Sequence, residues 1–116
     1  MTTRISPNLY DPIAWSLVQR FYQAEVPFAR EWLPQVRVVL DHPFWPPRGN
    51  QAMVWGTKVY IARKLLSTPY TWWDRALNLA AECAHVEQFQ RWGKLGVARR
   101  WLWQVVMNPM AKARGL

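Results

Sequence analysis

Between Leu77 and Gly93 the chain reads LNLAAECAHVEQFQRWG, a stretch that holds Glu82 and His85. Residues three apart are neighbours on a helix surface, so a carboxylate and an imidazole fall one turn apart on the same side. Their surroundings are mostly apolar, and the pair is therefore expected to point towards protein instead of water. Two chemistries suit it. One is work at a metal ion, with the imidazole as ligand and the carboxylate as general base. The simpler one is a half-buried hydrogen-bonded pair, in which His85, Arg91 or a Trp indole satisfies a carboxylate that would be costly to bury alone. Cys83 lies about 200° around the helix from His85 and cannot share a metal with it. With no basic partner indicated, Cys83 reads as a buried structural thiol. His42 and Asp41, in a Pro-rich loop, are the other conceivable donors. Glu-x-x-His spacing also serves carboxylate-bridged di-metal bundles, but those need more inward carboxylates than this chain offers.

A zinc-peptidase helix carries His, Glu, two spacers and His, because residues i and i+4 can hold one Zn²⁺ while the Glu acts on metal-bound water. Here the five positions read Ala81-Glu82-Cys83-Ala84-His85, with Leu77 leading in and Val86, Gln88, Arg91 and Gly93 following. The stretch resembles the motif helix of small bacterial zincin-like peptidase domains, roughly L-x-x-H-E-x-x-H-V-x-Q-x-x-R-x-G. Residues 52–61, with Trp55-Gly56 and Val59-Tyr60-Ile61, resemble the strand that such domains place before the helix, beside the cleft. Asn108 to Ala113 resembles the family's N-P-aromatic-E-R-E segment, whose first Glu the resemblance makes the third zinc ligand; the residue here is Ala111. The resemblance covers about residues 35–114. It implies a zincin-like fold in which Glu82 is a vestigial general base and His85 the only surviving ligand position. One imidazole does not retain zinc usefully, and without the metal a water pKa stays near about 15.7 instead of falling to about 7. The expectation is a pseudoenzyme, AExxH in place of HExxH, with no cofactor and no zinc.

The elements that must position these residues are legible from local signals. Asp11 and Pro12 open a helix towards Leu33, interrupted at Pro27 and ended by Pro34. Val36, Val38 and Leu40 alternate with Arg37 as a strand, and His42 to Asn50 is a Pro-rich loop that could carry Phe44 and Trp45 back over the core. A second β segment centres on Lys58 to Ile61, with Gly56 as a turn or bulge. Thr71 and Asp74 form a capping box for the motif helix, and Gly93 stops it. Lys94 to Gly96 then connects to a helix over Val97 to Met107, ended by Asn108-Pro109, and the last residues add a short helix or fray. Trp72-Trp73 and the Phe44-Trp45 loop could line an empty cleft where a peptidase would hold substrate, but are expected to cover the small sheet. The fold class is α+β: a single zincin-like domain over 1–116, with an N-terminal helical region at 1–34, a core at 35–116, a small β-sheet, a central motif helix and a C-terminal helical hairpin.

The chain has 116 residues, 51% of them hydrophobic, enough for one core and too few for two. Charged or Pro residues break every apolar run before the about 18 to 20 residues that span a bilayer. No secretory signal pattern opens the sequence, and Cys83 is the single cysteine, so a cytoplasmic protein without disulfides is expected. A net charge of +8 predicts attraction to polyanions, and no acidic residue follows Glu87. Arg99, Arg100, Lys112 and Arg114, with Trp101 and Trp103 among them, form a candidate nucleic-acid or anionic-membrane surface. Against that stands a packing helix with a solvated basic face and Leu102, Val105, Val106 and both Trp in the core. Nine Trp residues suggest surfaces covered by a protein partner or assembly. The leading functional reading is a catalytically inactive zincin-like binding or structural module. The alternatives are polyanion binding and a metallopeptidase with non-standard or intermolecular ligands.

Overall fold

The computed structural model describes residues 2–47 and 49–113, without the side chains at 105 and 108–113. In chain order the elements are β1 (Thr3–Ile5), α1 (Pro7–Tyr10), α2 (Pro12–Glu25), β2 (Arg37–Leu40), β3 (Ala52–Trp55), β4 (Lys58–Ile61) and α3 (Trp72–Ala113). Short 3₁₀ turns over Pro27–Glu31, Leu33–Gln35 and Arg63–Leu66 connect them.

Local chemistry accounts for most boundaries. The Asp11 carboxylate accepts from the Ala14 amide at 3.0 Å, and Pro12 takes the first helical position, where its missing N–H costs nothing. Pro27 turns the chain from α2 into 3₁₀ geometry. Ahead of α3, Thr71 N donates to Asp74 Oδ2 at 2.8 Å and Asp74 N donates back to Thr71 Oγ1 at 3.4 Å, the reciprocal capping box.

The sheet has the order β1-β2-β4-β3. β2 and β4 are parallel, with Val38 opposite Val59 and Leu40 opposite Ile61, because β3 occupies the outer edge and returns through the Gly56 turn to place β4 inside it. β1 is an addition to the expected strands. Its pairing with β2 depends on contacts more than thirty residues away in sequence, Thr3 with Leu40 and Ile5 with Val38. With neighbours on both sides, β2 buries Val38, Val39 and Leu40 together and does not alternate fully.

One core cluster joins Trp15, Val18 and Tyr22 of α2, Val38, Val59 and Ile61 of the sheet, and Leu79, Cys83, Val86 and Phe89 of α3. Tyr22 OH donates to the Ala80 carbonyl at 2.7 Å and pins α2 to the middle of α3. The N-terminal helical region therefore shares the core of the remainder.

The C-terminal hairpin is corrected. Helical backbone resumes directly after Gly93, passes through Lys94 to Gly96 without a connection, and continues through Asn108 and Pro109 to Ala113. The only break is Gly93, whose φ of 71° and ψ of 169° turn the helix through a corner. The corner brings the Trp101 ring to 5.7 Å from Phe89, whereas a straight helix would separate those backbone positions by about 18 Å. Among the described residues, no helix is long and apolar enough to cross a membrane.

Candidate functional site

The phase of α3 decides what the motif residues can do. Leu79, Cys83, Val86 and Phe89 recur at helical spacing on the buried stripe. Ala81, Ala84 and His85 consequently lie on the solvent side. His85 is exposed, and its Nδ1 lies 3.3 Å from Gln88 Oε1. Glu82 sits half-buried at the margin between the two faces. The expected Glu82–His85 hydrogen bond inside the fold is thus replaced by a His85–Gln88 contact, and Arg91 donates to Glu87 at 2.9 Å instead of to Glu82. The reason is the apolar spacing itself: burying Cys83 and Val86 rotates position 85 outwards.

Burial pushes the Glu82 carboxyl above its ordinary range, and the nearby His85 offsets this only in part. A carboxyl whose pKa is raised on folding holds its proton more tightly in the folded chain than in the unfolded one. Its stabilising contribution is present below the unfolded value of 4.5 and is lost as pH rises through the folded value. Glu82→Gln should therefore raise the melting temperature at pH 7, by less than about 1 kcal/mol of stability after solvent screening, and change little at pH 4. Paired thermal melts at the two pH values check this. A variant less stable than the parent at pH 7 would mean that the carboxylate has an unrecognised partner.

Cys83 is fully buried, and desolvation raises its thiol pKa to about 12, in keeping with a structural residue. The loop donors are engaged elsewhere. Asp41 forms a two-pronged ion pair with Arg63, which holds its carboxyl below the usual carboxylate range. His42 Nδ1 accepts from the amides of Phe44 and Trp45 at 3.2 and 3.1 Å. Both residues line a pocket of about 230 Å³ at the carboxyl ends of β2 and β4. Among the described residues, no group of three or more His, Cys, Asp or Glu side chains comes together. The donor set around His85 does not fit a zinc centre, since the position one turn back that would carry the second imidazole is Ala81, and the nearby side-chain oxygens are those of the half-buried Glu82 and of Gln88. The side chain of Ala111 lies outside the described residues.

The edge strand β3 packs against α3, and its Trp55 ring lies 5.2 Å from Phe89 on the buried stripe. Phe44 and Trp45 remain exposed and do not return over the core. Trp72 and Trp73 are exposed too, stacked edge to face with each other at 5.7 Å, so they do not cover the sheet. Instead Trp72 borders a groove with Ile13, Leu17 and Arg20 of α2.

The arm after Gly93 departs most from expectation. Val97 is buried and Trp101 half-buried against Trp55 and Phe89, but Leu102, Trp103 and Val106 are exposed and do not enter the core. The inward stripe is already filled by Val97 and Trp101, which leaves Leu102, Trp103 and Val106 facing out; the side chain of Val105 lies outside the described residues. Arg99 and Arg100 are exposed on this arm, and Arg100 lies over the Trp92 ring at 3.7 Å. The side chain of Lys112 and the whole of Arg114 fall outside the described residues. The spacing of Leu95, Leu102 and Val106 was the available signal for a second apolar stripe. Comparison with family models, curated proteins and solved structures gives no match.

Proposed function

We propose that the protein is a non-catalytic binding or structural module on a zincin-like scaffold. The observation that carries this reading is the solvent-facing side of α3 around the former ligand position: Trp73, Leu77, Ala81 and Ala84 form an exposed apolar strip where a peptidase helix would present donors. The outer face of α2 adds Ile13, Leu17 and Phe21, spaced four residues apart and also exposed. Exposed apolar strips on two helices that pack together suit a protein partner. Protein purified without chelators should carry far less than one zinc per chain. Near-stoichiometric zinc that disappears in His85→Ala would replace this reading with the metallopeptidase alternative. Ala81→His together with Ala111→Glu should create measurable zinc affinity in a chelator-competition assay, and a complete lack of gain would count against the scaffold.

A second reading, polyanion binding, is favoured by the exposed Arg99 and Arg100 on an arm that follows the last acidic residue of the chain.

A further inference from the structure

The arm that follows Gly93 is apolar on two opposite sides. Its inward side holds Val97 and Trp101. At 100° per residue, Leu95, Leu102 and Val106 project on the side opposite Val97, with Arg99 between them and Trp103 adjoining. These side chains are not marginally exposed: Leu95 is 77% accessible, Leu102 65%, Trp103 65% and Val106 47%. An open groove of about 770 Å³ flanks this face on its Trp103 side, bordered by Trp92, Arg99, Arg100, Leu102, Trp103 and Val106.

The charge carried by this part of the sequence has one sign. No Asp or Glu occurs after Glu87, while Arg91, Lys94, Arg99, Arg100, Lys112 and Arg114 do. Glu87, the nearest carboxylate before the corner, is paired with Arg91. A helix face that combines aliphatic side chains, an aromatic and cations without anions fits the boundary between headgroups and acyl chains of an anionic bilayer. Arg99 can extend towards the phosphates while Leu102 and Val106 enter the apolar layer, because long cationic side chains carry their charge away from their own backbone. Trp103 suits the same depth, since indoles favour membrane–water interfaces. Nucleic acid would use the cations and could stack on Trp103, but it has no use for Leu95, Leu102 and Val106.

We propose that the C-terminal arm is a peripheral membrane-docking element that lays its Leu95–Leu102–Val106 face on an anionic lipid surface, with Arg99 contacting headgroup phosphates and Arg100, over the Trp92 ring, adding charge from the flank. The proposal rests on the polyanion reading and goes beyond it by naming the surface and the side chains that enter it.

The test uses the full chain, phosphatidylcholine vesicles with and without phosphatidylserine, and heparin chromatography. The parent should co-sediment with the phosphatidylserine vesicles alone, less strongly as salt rises. Leu102→Gln with Val106→Gln should weaken vesicle binding by at least about tenfold while leaving heparin elution unchanged, because it removes apolar contact and no charge. Arg99→Gln with Arg100→Gln should weaken both. All four positions are exposed, so the core is untouched, and circular dichroism melts verify folding. Unchanged vesicle binding by the Leu102→Gln/Val106→Gln variant would overturn the proposal, since adsorption would then be by charge alone. Heparin retention without vesicle binding would also overturn it while leaving the polyanion reading in place, and the loss of both would end both.

Discussion

Arg75→Ala is expected to destabilise the protein by about 3 kcal/mol, enough to lower the melting temperature by on the order of 15 °C. Arg75 Nε donates to Asp11 Oδ2 at 2.6 Å, and Arg75 Nη1 donates to the Leu65 carbonyl at 3.0 Å. One guanidinium thus ties the start of α2, the turn before α3 and the first turn of α3 to each other. The side chains of the pair are only 17% and 8% exposed, so truncating Arg75 strands a carboxylate with little access to water. That desolvated, unpaired charge is the largest part of the cost, because the pair itself offsets much of its own burial penalty. Tyr10 belongs to the same buried corner: burial pushes its phenol up to about 12, against the opposing influence of Arg75. A second substitution separates these effects. Asn caps a helix about as well as Asp, so Asp11→Asn keeps the bond from the Ala14 amide while removing the charge. In the Arg75→Ala background, Asp11→Asn should restore at least about 1 kcal/mol, whereas in the parent it should destabilise. Urea denaturation of the four proteins measures the coupling, and simple additivity would refute the stranded-charge explanation.

The Asp11–Arg75 pair also marks where sequence reading stops. The cap at Asp11-Pro12, the Thr71–Asp74 box, the turn at Gly56 and the break at Gly93 are legible because each depends on residues within a few positions of one another. The ion pair spans 64 positions, and nothing local to either residue announces the other. β1 is hidden for the same reason. Three residues with Arg4 at their centre carry little strand signal until β2 supplies the ladder.

The candidate site divides in the same way. The lack of a donor at position 81 can be read from the residue type alone. Whether Glu82 and His85 face inwards cannot, because both neighbouring phases of α3 offer apolar residues, and the choice falls to which stripe finds a partner. Leu79, Cys83, Val86 and Phe89 find the sheet and α2, so His85 turns to solvent. On the arm beyond Gly93 the competition runs between Val97-Trp101 and Leu95-Leu102-Val106, and periodicity predicts two apolar sides without saying which one the core takes. Long-range packing assigns the inward side to Val97 and leaves Leu95, Leu102 and Val106 exposed.

Gly93→Ala should cost about 1–3 kcal/mol although no side chain stands in the way of the new methyl group. A Cβ at this position meets no packed side chain and no backbone of another element within 4 Å, so a clash with the surrounding structure contributes nothing. The penalty comes from the backbone. A φ of 71° with a ψ of 169° lies outside the left-handed helical well, in a region that is essentially reserved for glycine. Asn, which substitutes acceptably where a helix ends in the left-handed well, should therefore fail here as fully as Ala. The chain has a competing option that ordinary surface turns lack, because helix lies on both sides of Gly93 and a straight continuation would relieve the strain. Straightening would withdraw Val97 from the core and separate Trp101 from Phe89 and Trp55, which are 5.7 and 6.4 Å away by ring centroid. Burial of that cluster opposes the change, and the corner should persist in a strained and less stable variant. The expected signature is a lower melting temperature for both Gly93→Ala and Gly93→Asn, with unchanged helical ellipticity and an unchanged radius of gyration in solution scattering. A rise in ellipticity and a longer particle at undiminished stability would show that the Val97–Trp101 contacts are too weak to hold the bend.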